Sequence, residues 1–346
     1  MAWVLAGAVA IAVAVLIALV VHRNGQNGVF NLGESDSYFF RLTARQPFGS
    51  TRGFVAVHQA SEAPYRYGRI GLPMLSWVLA LGKPALVGWS LIAVYVASIA
   101  AVAGIAAVLL DDLGAPPLGA GLVLLAPGIL LNYSHVYADP LLIALLLLAC
   151  VFEGRGRRSA ALITLAAAIL VKEVAVVALI PWICSALARR DRRGAAIAAS
   201  AVIPYLVWCA FVRWRLGVVP FLAHTYSRRG ALGLPLVGLR QGLEAHTPNI
   251  GVVAGAMLIT LALGALASWV ARGTRIGALA LVYTLLTLCL GKNAVAFLLE
   301  FARVIAVTQV FAILCVVVAI SGWWRRRNDS GARASSDGLF AGNASL

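Results

Sequence analysis

Long apolar runs recur along the whole sequence, and no other feature limits the possible folds so strongly. Hydrophobic residues make up 62% of the 346 residues and charged residues only 12%, which is more apolar surface than a soluble globule of this length can bury. An apolar stretch that is long enough to cross a bilayer indicates a transmembrane helix. The chain is therefore predicted to be an all-α, polytopic integral membrane protein.

The apolar runs predict about ten transmembrane helices. Residues 1–21 are too long for the apolar region of a signal peptide and lack its basic leader, so they are expected to remain as the first span. The stretch 159–188 could form one helix with Lys172 and Glu173 at its centre, but two short helices that turn there keep these charges out of the mid-bilayer. The further predicted spans are 84–110, 118–132, 140–152, 159–171, 174–188, 194–212, 250–270, 276–290 and 304–322.

Charge sets the expected orientation. Short connections on one side of the predicted bundle, among them 153–158, 188–193 and 271–275, carry more basic residues than the short connections on the other side, which makes the first side cytoplasmic. With ten spans across the plasma membrane, both termini are cytoplasmic and the long loops 22–83 and 213–249 face outside. The transmembrane domain is predicted to cover residues 1–327, followed by a disordered cytoplasmic tail over 328–346.

The net charge of +15 indicates which kinds of partner the chain is expected to bind. In so apolar a chain, a basic excess points to anionic membrane lipids, and no nucleic-acid motif accompanies it. The five cysteines lie inside apolar runs without metal-binding spacing, and they are interpreted as small core residues.

The first outer loop begins with an acidic pair, Glu34 and Asp36, in the segment GESDSYFFR. Ser35 can cap a helix that begins at Asp36, and the aromatic residues that follow would give this helix an interfacial apolar face. A second amphipathic or re-entrant helix is predicted over residues 67–81. The loop is thus expected to fold into helices along the membrane surface.

The order of these features resembles the GT-C superfamily of polytopic glycosyltransferases. The resemblance covers roughly residues 1–215, although the acidic motif here is Glu-Ser-Asp and not two adjacent acids. It implies transfer of a sugar from a polyprenyl-phosphate donor at the outer face, with an acidic residue of the first loop as base. The similar features are the acidic pair, the interfacial helices, the stretch Tyr65-Arg-Tyr-Gly-Arg69 before LPMLSW, the segment Ala-Asp139-Pro, and the segment Val-Lys172-Glu173.

The chemistry of such a transfer assigns candidate roles. A sugar hydroxyl is a weak nucleophile, so a carboxylate must accept its proton; Asp36 is the candidate base, and Glu34 could steer the acceptor or raise the pKa of Asp36. The alternative is that both acids only complement a helix dipole. The leaving phosphate needs cations, and the candidates are Arg66, Arg69, Lys172 and Arg303.

Each cation also has a structural alternative. Arg66 and Arg69 could bind ordinary lipid headgroups, Lys172 could pair with Glu173, and Arg303 could form an intramembrane ion pair opposite Glu300. The candidates for contacts to the sugar or acceptor are Tyr38, His58, Tyr65, Tyr67, His135, Asp139 and Glu173.

No cofactor is required by this chemistry. His135 and Asp139 are four residues apart and compatible with a metal pair, but two ligands do not make a site, so a divalent metal is not implied. The expected partners are a polyprenyl-phosphate sugar, membrane lipids and a glycan, lipid or protein acceptor. Two other functions stay open: a non-catalytic, lipid-binding membrane subunit, and a secondary transporter.

Overall fold

The computed structural model of the chain describes residues 35–48, 63–130, 136–222, 232–247, 249–296 and 298–341, together with Gly7. Across these ranges the backbone is helical and forms no β-strand, apart from a single bridge between Leu232 and Leu290. The all-α prediction is confirmed. The predicted first span and the residues Glu34, His58 and His135 lie outside the described residues.

The first half of the chain contains a run of helices that begins in the predicted first outer loop. They are α1 (Ser35–Arg45), α2 (Ala63–Tyr67), α3 (Gly71–Leu79), α4 (Val87–Asp112), α5 (Ala120–Leu124), α6 (Pro127–Leu130), α7 (Asp139–Gly154) and α8 (Arg158–Val171). The second half continues with α9 (Leu179–Ala188), α10 (Arg192–Ser200), α11 (Ile203–Leu216), α12 (Val237–Glu244), α13 (Ile250–Val270), α14 (Arg275–Leu288), α15 (Lys292–Ala296), α16 (Leu298–Val304) and α17 (Ala306–Ala341).

Four helical segments among the described residues are long and apolar enough to cross a membrane: Pro84–Asp112, Arg192–Leu216, Ile250–Val270 and Ala306–Arg325. Each overlaps a span that the sequence predicts, as expected of a multi-pass membrane protein. Three shorter apolar helices, Arg158–Val171, Glu173–Ala188 and Arg275–Leu288, overlap predicted spans as well. The total of about ten spans remains a prediction.

One predicted span differs in detail from the structure, and the turn that was predicted between two others is present. Residues 118–132 were expected to form one helix, but a 3₁₀ turn, α5 and α6 succeed one another, because Pro127 cannot donate the hydrogen bond that would continue α5 into α6. The predicted turn at Lys172 is confirmed: α8 ends at Val171, Lys172 is extended, and a 3₁₀ helix over Glu173–Ala178 follows. In the tail, helical backbone continues to Ala341, where the composition predicted disorder from residue 328.

The bundle has two ends of different character. At one end, Arg155 contacts Asp112 at 3.1 Å and Arg275 donates to Glu153 at 3.0 Å, so that an exposed and a partly buried ion pair join the end of α4, the end of α7 and the start of α14. At the other end, α7 begins, α8 ends, and α16 leads into α17. The candidate functional residues gather at this second end.

Candidate functional site

Helix α1 positions Asp36 because its hydrophobic residues fasten it to the bundle. Phe40 and Ala44 belong to the main hydrophobic core, and Phe39 is buried as well. Asp36 lies in the first turn of the helix, where a carboxylate complements the helix dipole, but it is buried too. A buried carboxylate needs compensating charges, and three arginines supply them.

The two oxygens of the Asp36 carboxylate have different partners. Arg66, on α2, donates to Oδ1, and Arg303, on α16, donates to Oδ2 at 2.8 Å. Arg69 Nη1 lies 3.8 Å from Oδ2. Residues of the first predicted loop and of a segment 267 positions away in the sequence therefore meet at one carboxylate.

A second carboxylate, Glu173, lies on the other side of Arg69. The guanidinium donates from Nε to Oε2 at 2.9 Å and from Nη2 to Oε1 at 2.8 Å, which is a two-pronged ion pair. Tyr65 donates its hydroxyl hydrogen to the same Oε1 at 3.0 Å. Burial is the main reason that the pKa of Tyr65 is raised above its usual value, so its hydroxyl remains a donor.

Close backbone packing makes the Arg69–Glu173 pair possible. A Cβ atom on Gly71 would lie 2.7 Å from the backbone nitrogen of Val171 and 2.8 Å from its Cα. Only glycine therefore allows the start of α3 to approach the end of α8 so closely. Arg69 lies two residues before Gly71, and Glu173 lies two residues after Val171. The close contact therefore places the two side chains within reach of each other.

The third carboxylate, Asp139, opens helix α7. Lys172 Nζ donates to its Oδ1 at 2.5 Å, and Arg303 Nε lies 3.3 Å from its Oδ2. Arg303 thus bridges Asp36 and Asp139. Its segment is held in place by Gly128, where an added Cβ would lie 2.4 Å from the backbone oxygen of Ala302.

These residues form one continuous cluster, which we call the charged network. Among the residues that the structure describes, it contains four cations and three carboxylates. Most of it is shielded from solvent, and the most exposed side chains are Arg66 at 23% and Glu173 at 21%. Its members are Asp36, Arg66, Arg69, Asp139, Lys172, Glu173 and Arg303.

The arginines change the acidity of Asp36. Burial alone would raise the pKa of its carboxyl, but the positive charges of Arg303, Arg66 and Arg69 outweigh this effect and hold the pKa well below its usual range. A general base works best when its pKa lies near the working pH. With both oxygens paired to arginine, Asp36 is a poor proton acceptor.

Comparison with known proteins does not name the chain. No protein-family model, curated protein or solved structure matches it. The resemblance to GT-C enzymes therefore rests on the sequence features alone, and the geometry of the charged network is the basis for any functional proposal.

The structure brings most of the predicted site residues together. Every member of the charged network is a residue that the sequence analysis singled out, and Tyr65 joins it through Glu173. Tyr67 and Tyr38 have other contacts: the Tyr67 hydroxyl donates to the Pro47 carbonyl, and the Tyr38 ring lies 5.6 Å from the guanidinium carbon of Arg41.

One of the expected pairings is wrong. Lys172 pairs with Asp139 and not with Glu173, because the turn at Lys172 sends the two neighbouring side chains toward different helices. Arg303 pairs with Asp36 and Asp139, and the side chain of Glu300, its expected partner, lies outside the described residues.

Sequence reasoning missed the aromatic rings beneath the arginines. The guanidinium carbon of Arg66 lies 4.1 Å from the ring centre of Phe39, and that of Arg303 lies 4.1 Å from the ring centre of Tyr137. Such contacts stabilise a partly desolvated guanidinium. One signal was available, since Phe39 lies three residues after Asp36 and so shares its helix face.

Proposed function

We propose that this chain is a membrane glycosyltransferase that moves a sugar from a polyprenyl-phosphate-linked donor to a glycan, lipid or protein acceptor. The observation that carries the proposal is the convergence of Asp36 with Arg66, Arg69 and Arg303 at one end of the helical bundle. The arginines provide the positive charge that a leaving phosphate requires, and the carboxylate becomes a proton acceptor once one of its oxygens is released from its arginine. In this proposal the site faces outward from the plasma membrane and needs no metal.

In the proposed reaction, the Asp36 carboxylate and the arginines have different roles. The acceptor oxygen attacks the anomeric carbon of the donor while the bond from that carbon to the phosphate oxygen breaks, which inverts the configuration. The acceptor proton passes to the Asp36 carboxylate. The arginines stabilise the negative charge that the departing polyprenyl phosphate gains.

The paired state of Asp36 favours a second candidate, the non-catalytic lipid-binding subunit. Arginines bind lipid phosphates whether or not chemistry follows, and a carboxylate with a lowered pKa can serve only to hold them in place. This alternative predicts that the purified chain binds polyprenyl phosphate but transfers no sugar from it.

Substitution of the proposed base tests the catalytic assignment. Asp36→Asn keeps the shape of the side chain but removes its proton affinity, so we expect the transfer rate to fall by about 10²- to 10⁴-fold. The measurement is transfer of a labelled sugar from a synthetic polyprenyl-phosphate donor, with envelope fractions as acceptor and the full chain in detergent.

A matched control exists at the opposite end of the bundle. Asp112 also pairs with an arginine, Arg155, but far from the charged network, so Asp112→Asn is expected to leave transfer unchanged. A folded Asp36→Asn protein that transfers at nearly the wild-type rate would contradict the catalytic assignment.

A further inference from the structure

The Asp36 carboxylate is held from two sides that differ in exposure. Arg303 contacts Oδ2 and its side chain is 8% exposed, whereas Arg66 contacts Oδ1 and its side chain is 23% exposed. The side of Asp36 that carries Arg66 is therefore the more accessible one. An anionic ligand that approaches the charged network meets Arg66 before the other two arginines that surround Asp36.

The arginines also differ in what their release would disturb. Arg303 contacts Asp139 in addition to Asp36, and Arg69 forms a two-pronged pair with Glu173, so that moving either one breaks contacts to a further carboxylate. Arg66 lies on the five-residue helix α2 and packs against the Phe39 ring. Within the charged network Arg66 contacts the carboxylate of Asp36, so a change in this contact leaves the pairs that Glu173 and Asp139 form in place.

Phosphate is chemically suited to take the place of the carboxylate. A guanidinium binds carboxylate and phosphate oxygens with the same forked geometry. When phosphate replaces Asp36 on Arg66, Oδ1 is left open while Arg303 stays on Oδ2.

We propose that Arg66 holds Asp36 in an unreactive ion pair until the phosphate group of a ligand displaces it. No covalent bond changes in this step: the guanidinium of Arg66 moves from Oδ1 to a phosphate oxygen, and Oδ1 becomes free to take a proton. The charged groups that remain around Asp36 are Arg69, Arg303 and, farther away, Lys172. The inference rests on the proposed function, because the displaced carboxylate is the proposed base.

A double-mutant cycle on ligand binding tests this exchange without any transfer reaction. Binding of a short-chain polyprenyl phosphate to the purified full chain is measured by calorimetry for wild type, Asp36→Asn, Arg66→Gln and the double variant. We expect Asp36→Asn to bind about tenfold more tightly than wild type, because Arg66 no longer has to leave a charged partner. The gain should vanish in the Arg66→Gln background. An equal gain in both backgrounds overturns the proposal.

Inorganic phosphate, titrated in parallel, separates the possible sources of the ligand. If it competes with the polyprenyl phosphate and shows the same cycle, the phosphate group alone drives the exchange; if Arg66-dependent binding needs the lipid chain, the ligand is a lipid headgroup. Both results support the exchange at Arg66. Asp112→Asn serves as the control, and its affinity is expected to equal that of wild type.

A measurement on the wild-type chain guards against a variant that does not fold. Infrared difference spectra should show a carboxylate stretching band that shifts when polyprenyl phosphate is added, and binding without such a shift overturns the exchange. If wild type does not bind the phosphate at all, the phosphate site of the proposed function fails together with this inference. If wild type binds polyprenyl phosphate but the double-mutant cycle shows no coupling between Asp36 and Arg66, this inference fails and the proposed function is unaffected.

Discussion

The Lys172–Asp139 pair shows what a single residue contributes to this network. Both side chains are more than nine-tenths buried, and Asp139 also faces Arg303. Asp139→Asn leaves two buried cations without their shared carboxylate, a change that typically costs about 3 to 5 kcal/mol. Lys172→Met leaves Asp139 with Arg303, so we expect a smaller loss. Unfolding of the purified chain in detergent measures the free energy of both variants.

The exposed pair at the other end of the bundle is the control for this comparison. Side-chain exposure there is 50% for Arg155 and 35% for Asp112, so Arg155→Gln is expected to change stability by less than about 1 kcal/mol. If Lys172→Met proved as damaging as Asp139→Asn, Arg303 would not be acting as a second partner of Asp139.

The sequence predicted which residues form the charged network, but it did not predict which of them pair with one another. Placing an ionisable side chain in an apolar chain costs so much free energy that the occurrence of Asp36, Lys172 and Arg303 was enough to make them candidate functional residues. Their partners depend on how helices distant in the sequence pack together. Lys172 meets Asp139, 33 positions earlier in the sequence, and not its neighbour Glu173.

Among the helical elements, the contact between α3 and α8 is the one on which the site depends most directly. Gly71→Ala would place a Cβ against backbone atoms of Val171, which cannot turn aside as a flexible side chain would. We expect a loss of about 1 to 3 kcal/mol in stability, as for other overpacked positions. We also expect weaker binding of polyprenyl phosphate, because Arg69 moves away from Glu173.

A second glycine provides the control for this prediction. Gly255 lies within α13, and a Cβ added there would meet no atom within 4 Å. Gly255→Ala should therefore leave both stability and binding nearly unchanged. Equal effects of the two substitutions would show that the α3–α8 contact does not position Arg69.

Some features at helix ends could be predicted from the local sequence, whereas others depend on packing between helices. The break at Lys172 was predictable, because a continuous helix would have placed two charges in the centre of an apolar run. The close approach at Gly71 was not, because a glycine in the sequence does not reveal which element it faces.

For the whole molecule, the two ends of the bundle predict how the chain sits in the membrane. If the charged network faces outward, Gln46→Cys should react with an impermeant thiol reagent on intact cells. Ser159→Cys, at the start of α8 and toward the other end, should react only after the membrane is opened. Both positions are exposed, and Cys184 must first be replaced because it is exposed as well. Labelling in the reverse order would contradict the predicted orientation.

The charged network also has an order of assembly, set by the direction of synthesis. Of the seven residues, Asp36, Arg66 and Arg69 are synthesised first, Asp139, Lys172 and Glu173 follow, and Arg303 is synthesised last. Until then Asp36 and Asp139 lack the cation that joins them. The site is therefore complete only after the segment that carries Arg303 has been made, and helix α16 closes a network that helices α1 and α2 began.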